Sequence, residues 1–142
     1  MNPYRYVVSL RFTHPKIDPE SITKSVGLVP FRTWMAGKPR TGPKGNVLSG
    51  TNRETYWTAR LHKEKSIRSR EIALEDYLAK QVKKLKAKEI YFKRIRKTGG
   101  HIEFFIGVFC DNNIGAEFPS SLLADMSKLG IDLSLDIYPP EV

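Results

Sequence analysis

Basic side chains and turn-forming residues alternate along the segment from Pro30 to Arg53. Glycines let backbone N–H groups approach an anion closely, and arginine donates paired hydrogen bonds to phosphate or carboxylate. Residues 30–60 contain a single acid, Glu54. The segment and its flanking strand therefore predict an anion site formed by Arg32, Trp34, Lys38, Arg40, Lys44, Trp57 and Arg60.

This basic segment is not a phosphate-binding loop of a known type. The stretch from Gly37 to Gly45 lacks the Gly-Lys-Ser/Thr motif that leads into a helix. Loops of this length are uncommon without a role, but a solvated loop held to the core by Trp34 and its prolines is the alternative. In either case we expect the segment to lie across the sheet near Trp57.

Aromatic and arginine side chains also share one face of the predicted sheet. Alternation of side chains along each strand puts the following contact residues on the side away from the helices: Arg11, Tyr56, Phe105 and Phe109. Such a face resembles the base-stacking surface of RNA-recognition sheets, but Asp132 and Asp136 on the same side would repel phosphates. The alternative is an apolar strip that a second copy of the chain, giving a homodimer, or the basic segment covers.

The remaining polar residues do not suggest catalysis. The three histidines, His14, His62 and His101, are scattered without metal-ligand spacing, and no Gly-x-Ser-x-Gly elbow occurs. A lysine run between Lys80 and Lys88 is typical of the solvated side of a helix. We expect no enzyme, no cofactor and no metal.

Composition limits the class of protein. A chain of 142 residues fits one domain, 1–142, and its single cysteine, Cys110, indicates a reducing compartment. No apolar run approaches the roughly 20 residues that span a bilayer, so we expect a cytoplasmic protein without membrane contact. The net charge of +9 is uneven, because all but one of the 24 Lys and Arg lie in residues 1–98.

The elements that must position these residues follow from hydrophobic periodicity. Alternation predicts strands at 4–12, 55–61, 102–110 and 131–138. Helical spacing and stop signals predict a helix between Pro19 and Gly27, another between Pro119 and Gly130, and a long helical segment from Leu74 that is one helix or two separated near 86–88. We predict an α+β fold with a four-stranded, mainly antiparallel sheet and helices on one face, in a ferredoxin-like or duplicated split β-α-β arrangement with a long helical connection between the second and third strands.

The ordered set of local motifs resembles an uncharacterised bacterial family, the domain of unknown function numbered 4279. The resemblance rests on 9–12, on 18–23 leading to Gly27-Leu28, on Arg32-Thr33-Trp34 with Gly37-Lys38-Pro39-Arg40, on Gly45, on Tyr56-Trp57 and on the closing 133–139 segment. It implies a small single-domain protein and carries no activity, cofactor or catalytic residue with it.

Function is therefore predicted from the surface alone. The leading hypothesis is a non-catalytic binding module for an anionic small molecule or a protein partner. One alternative is a nucleic-acid-binding protein that uses the basic first 98 residues. Another is an immunity-type inhibitor of a protein toxin.

Overall fold

The computed structural model describes residues 2–140 and shows an α+β fold. Its strands are β1 (Tyr4–His14), β2 (Arg32–Trp34), β3 (Pro39–Thr41), β4 (Val47–Thr51), β5 (Thr55–Arg60), β6 (Ile67–Arg68), β7 (His101–Cys110) and β8 (Ile131–Tyr138). Its helices are α1 (Pro19–Val26), α2 (Leu74–Leu85), α3 (Glu89–Lys97) and α4 (Ser120–Leu129). A short 3₁₀ turn, Lys86–Lys88, separates α2 from α3, so the long helical segment is two helices.

The main sheet has six strands and is mixed. Its order is β2-β5-β1-β7-β8, with β6 paired to the beginning of β1 beyond the end of β5. The pairs of β1 with β5, β6 and β7 and of β2 with β5 are antiparallel, whereas β7 and β8 run parallel. The expected four strands are all present, but β2 and β6 extend the sheet.

The ferredoxin-like detail of the prediction is not confirmed. A split β-α-β unit leaves a third strand between its two parallel strands. In this chain β7 and β8 are direct neighbours, joined through α4, in a register that pairs Ile102 with Ile131 and Phe109 with Tyr138. The strongly apolar β7 is an interior strand paired on both sides, in agreement with the apolar character of both its faces.

The hydrophobic core lies between one sheet face and the helices. Alternate residues of β1 from Tyr4 to Phe12 are buried, and they meet the buried stripes of α1, α2, α3 and α4 in a single cluster. Two β1 tyrosines also fix the start of α2: Tyr6 donates its hydroxyl hydrogen bond to the Ile72 carbonyl at 2.7 Å, and the Tyr4 hydroxyl accepts one from the Leu74 N–H at 3.1 Å. The bond from the Leu74 N–H to Tyr4 stands in for a side-chain cap, which Ala73 cannot provide.

The first helix has the predicted boundaries for the predicted reasons. Asp18 caps it by accepting a hydrogen bond from the Glu20 N–H at 2.9 Å, and Pro19 fits the first turn because its missing N–H is not needed there. Gly27 ends it at φ 77°, a left-handed conformation that favours glycine.

The basic segment folds only in part as predicted, because β2 pairs with β5 and places Thr33 opposite Trp57 while the rest of the segment leaves the sheet. Residues 39–51 form an antiparallel hairpin of β3 and β4 that makes a sheet of its own. Every residue of both strands is exposed, so this hairpin does not lie across the main sheet near Trp57. Its base is closed by backbone bonds between Gly37 and the Asn52 carbonyl and between Asn52 and the Lys38 carbonyl, each 2.9 Å.

No helix within residues 2–140 has the length and apolar character needed to cross a membrane.

Candidate functional site

The sheet face opposite the helices, called the open face below, collects most of the predicted contact residues. Its members come from every second position of the paired strands, as the period-2 analysis predicted. The cross-strand register aligns them in rows. The predicted site residues on this face are Arg11, Arg32, Trp34, Tyr56, Arg60, Phe105 and Phe109.

A ladder of guanidinium groups and rings crosses one end of the open face. Arg32 lies over Trp34 at 5.1 Å from the ring centroid. Trp34 stacks on Tyr56 with centroids 4.2 Å apart and an angle of 17° between the planes. On the far side of Tyr56, the Arg11 guanidinium lies 5.6 Å from that ring and 3.9 Å from the Phe105 ring. Cations positioned over aromatic faces are attracted by the ring quadrupole, so the ladder holds its charges in fixed places.

Arg11 is the most constrained member of this ladder. Its Nη1 donates to Glu103 Oε1 at 3.1 Å, and its side chain is only 28 % exposed. Glu103 also accepts a hydrogen bond from the Ser134 hydroxyl at 2.7 Å. The charge of Arg11 is therefore paired with Glu103 within the protein. Its guanidinium also covers the Phe105 ring, which the sequence analysis predicted to be part of an open apolar strip.

Arg32 and Arg60 carry the charge that this end of the face presents to solvent. Both are exposed, and neither forms an ion pair within residues 2–140. Arg60 lies 6.0 Å from the centroid of the Phe31 ring, which is 79 % exposed. The result is a cationic edge with apolar rings between the charges.

The aspartates of the open face lie at the β8 edge of the sheet, away from the ladder. Asp132 and Asp136 stand on β8, beside Glu103 and Gly107 of β7 in the register. The arginines of the face stand on β1, β2, β5 and β6. The face therefore has a charge gradient across the strands, with its positive side toward β2 and β5.

Lys38, Arg40 and Lys44 belong to the exposed hairpin and its base rather than to the open face. Arg40 Nη1 donates to the Ser49 carbonyl at 3.3 Å, which spans the two hairpin strands. A shallow depression of about 610 Å³ separates the hairpin from the sheet edge, with Trp34 and Arg40 in its wall. Trp34 is thus the one predicted residue that borders both the hairpin and the open face.

Trp57 does not share a surface with the other predicted residues. Its side chain is fully buried on the helix side, edge-on to Phe12 with ring centroids 5.3 Å apart. Its Nε1–H donates to Thr23 Oγ1 at 2.9 Å, which ties β5 to α1. Trp57 is a core residue, and the expectation that it shapes a binding cleft is corrected.

Two of the histidines have structural hydrogen bonds that require their neutral form. His14 Nδ1 accepts from the backbone N–H groups of Lys16 and Ile17, at 3.1 and 3.0 Å. His62 Nε2 accepts from the Val8 N–H at 3.0 Å. Burial lowers the pKa of both imidazoles, because the charged form loses hydration.

No metal-binding group stands out in the described part of the chain. Among residues 2–140, no three His, Cys, Asp or Glu side chains are grouped so that they could hold a metal ion.

Comparison with known proteins places the chain in a family. A family model described as "Domain of unknown function (DUF4279)" matches residues 2–140. The chain belongs to this family. No curated protein and no solved structure shows significant similarity to it. The DUF4279 description names no ligand and no reaction, so the surface of the chain is the source of evidence on its function.

Sequence reasoning missed one feature of this DUF4279 chain, a second aromatic and arginine cluster at the other end of β1. The Phe109 ring stacks on Tyr138 with centroids 4.8 Å apart and planes 8° apart, and the Arg5 guanidinium lies 5.7 Å from the Phe109 centroid. Period 2 puts all three side chains on the open face. Only the register, which pairs Arg5 with both Phe109 and Arg68, brings the cluster together.

Proposed function

We propose that this protein is a non-catalytic binding module for an anionic small molecule or protein partner, and that the ladder end of the open face is its contact surface. The observation that carries the proposal is the alternation of guanidinium groups and rings from Arg32 to Phe105. Interface hot spots are enriched in arginine, tryptophan and tyrosine, which are the residue types that this ladder combines.

The geometry favours a protein surface over a small molecule at this end of the sheet. The ladder extends over β2, β5, β1 and β7, and all four helices pack on the other side. Small ligands need a concave site, whereas a broad sheet face with fixed aromatic side chains matches the shape of a protein partner. The charges of Arg32 and Arg60, which have no ion-pair partner within residues 2–140, make an acidic surface the matching chemistry.

Preorganisation strengthens the proposal. An arginine that is already held over a ring loses less side-chain entropy when it binds than a free lysine does. Arg32, which lies over the stacked Trp34 ring, has this arrangement, whereas the lysines of α2 stand on its solvated side. Binding through this face should therefore depend on particular arginines and not on the total charge.

The test compares two double variants that remove the same charge. Arg32→Gln with Arg60→Gln removes two positive charges from the open face, and Lys83→Gln with Lys84→Gln removes two from α2. The probe is a poly-L-glutamate peptide, with affinity measured by isothermal titration calorimetry at moderate salt. The arginine pair should weaken binding by about tenfold, since two exposed charges contribute about 0.7 kcal/mol each. The lysine pair should have little effect.

Equal weakening by the two double variants would show that the peptide senses only net charge, and the proposal would fail. A single-stranded oligo-dT probe provides the second comparison. If wild-type protein binds oligo-dT more tightly than poly-L-glutamate, and the arginine variant loses this binding, the face is a nucleic-acid surface and the anionic protein partner is rejected.

A further inference from the structure

A concave site lies at the end of the sheet where β1 begins and where β7 and β8 end. It has a volume of about 460 Å³, within the range of small-molecule sites. Its walls include Arg5, Arg68, Arg70, Phe109 and Tyr138, none of which belongs to the ladder. We propose that this depression binds a phosphate monoester that carries a flat ring, such as an aryl or nucleoside phosphate.

The charge of the site points to an anion. Arg5 and Arg70 are both exposed and form no ion pair within residues 2–140, whereas Arg68 is paired with Glu71. Asp111 lines the same depression and lowers its positive charge without pairing to any of the three arginines. Two unpaired guanidinium groups beside one concave surface match the charge of a phosphate monoester better than that of a single carboxylate.

The rings of the site point to a flat partner for this anion. Phe109 and Tyr138 are nearly parallel, and the Tyr138 hydroxyl donates to Asp136 Oδ2 at 2.5 Å, which fixes the orientation of its ring. A Cβ at Gly107 would lie 3.6 Å from the Phe109 ring and 3.8 Å from the Tyr138 ring. Both rings therefore lie close above the backbone of this glycine. Tyr138 and Arg5 both lie against the Phe109 ring, so the exposed outer face of Tyr138 is the stacking surface that remains for a ligand.

The proposed site is independent of the ladder. Arg5 and Arg11 lie six residues apart on the same face of β1, toward opposite ends of the strand. A protein partner on the ladder and a small ligand in the depression use different side chains. The two proposals can therefore fail separately.

The test titrates ¹⁵N-labelled protein with phenyl phosphate, inorganic phosphate and phenol, followed by two-dimensional amide NMR. We expect saturable shifts with phenyl phosphate, confined to amides near Arg5, Phe109 and Tyr138. Inorganic phosphate should bind about tenfold more weakly, because it lacks a ring and so loses a stacking contribution of about 1.4 kcal/mol. Phenol should not saturate. Shifts centred on the hairpin or on α2, or equal affinity for phenyl phosphate and inorganic phosphate, would overturn the proposal.

Variants separate the charge requirement from the ring requirement. Arg5→Gln with Arg70→Gln should weaken phenyl phosphate binding about tenfold or more, whereas the matched pair Lys83→Gln with Lys84→Gln should leave it unchanged. Tyr138→Leu should reduce the affinity for phenyl phosphate to that for inorganic phosphate. The amide spectrum of each variant shows whether it is folded. Unchanged binding in a folded Arg5/Arg70 or Tyr138 variant rejects the site, and so does a loss of affinity in the lysine pair equal to that in the arginine pair.

Discussion

Replacing the two buried histidines with neutral isosteres should remove the acid sensitivity of this protein between about pH 6.5 and 5.5. His14 Nδ1 accepts hydrogen bonds from two backbone N–H groups, and its Nε2–H donates to Thr98 Oγ1 at 2.7 Å. His62 Nε2 accepts the Val8 N–H, and its Nδ1 donates to the Glu64 carbonyl at 2.9 Å. A second proton on either ring would displace a backbone N–H and place a charge in a buried site.

The sign of the effect follows from the lowered pKa of both groups. The unfolded chain binds protons on these histidines near their ordinary pKa of 6.5, while the folded protein resists protonation until a lower pH. Their contribution to stability is complete above pH 6.5 and is lost as the pH falls through the folded pKa values. Each histidine adds at most about 1.4 kcal/mol per pH unit to the slope of the unfolding free energy, and the two together add at most about 2.7.

The variants His14→Asn and His62→Gln keep an acceptor oxygen near the position of the accepting nitrogen and remove the titration. Urea denaturation followed by tryptophan fluorescence, repeated from about pH 7.5 to 5.5, gives the slope for each protein. Each single variant should lose part of the wild-type slope, and the double variant should be nearly flat. His101→Asn is the matched control, because His101 is exposed. A double variant that keeps the wild-type slope would refute this reasoning, as would a wild-type protein whose stability does not change over this range.

Three further predictions concern stability. Trp57→Phe removes the hydrogen bond to Thr23 and part of a fully buried ring, so chemical denaturation should show a loss of about 2 kcal/mol. Gly130→Ala should cost about 1–3 kcal/mol in the same assay, because Gly130 has φ 69°, a left-handed conformation that strains any residue with a Cβ; the exposed Arg96 guanidinium beside it can move aside. Replacing residues 38–51 with two glycines should change the unfolding free energy by less than about 1 kcal/mol, since no residue of either hairpin strand is buried; a larger loss in thermal or urea melts would show that the hairpin supports the fold.

Strong alternation and clear stop signals made several elements predictable from the sequence. The first and last strands, α1 and α4 emerged near their observed bounds, because each has a one-sided apolar pattern and a glycine or proline at its end. The exposed hairpin of β3 and β4 was not predicted, because a hairpin with no buried face has no hydrophobic period. The two-residue strand β6 is too short to give a pattern. The parallel pairing of β7 with β8 depends on the path of α4, which local sequence does not encode.

The residues of the candidate site were also predictable only in part. Period 2 was enough to put Arg11, Tyr56, Phe105 and Phe109 on one face. The same alternation puts Trp57 on the face that packs against the helices. Its place in the predicted anion site depended on its position in the sequence near the basic segment and not on strand geometry. The depression around Arg5 could not be predicted, since it depends on the registers that join four separate strands.

The position of β1 at the centre of the sheet also determines when the protein can fold as it is synthesised. Tyr4 pairs with Cys110, so the longest ladder of the sheet joins residues that lie more than 100 positions apart in the sequence. A nascent chain can pair β1 with β5 early, but one edge of β1 stays unsatisfied until β7 has left the ribosome. Contacts between such distant residues slow folding, and unpaired edges expose a chain to aggregation. The first half of this protein should therefore depend on chaperones or on fast elongation more than its small size suggests.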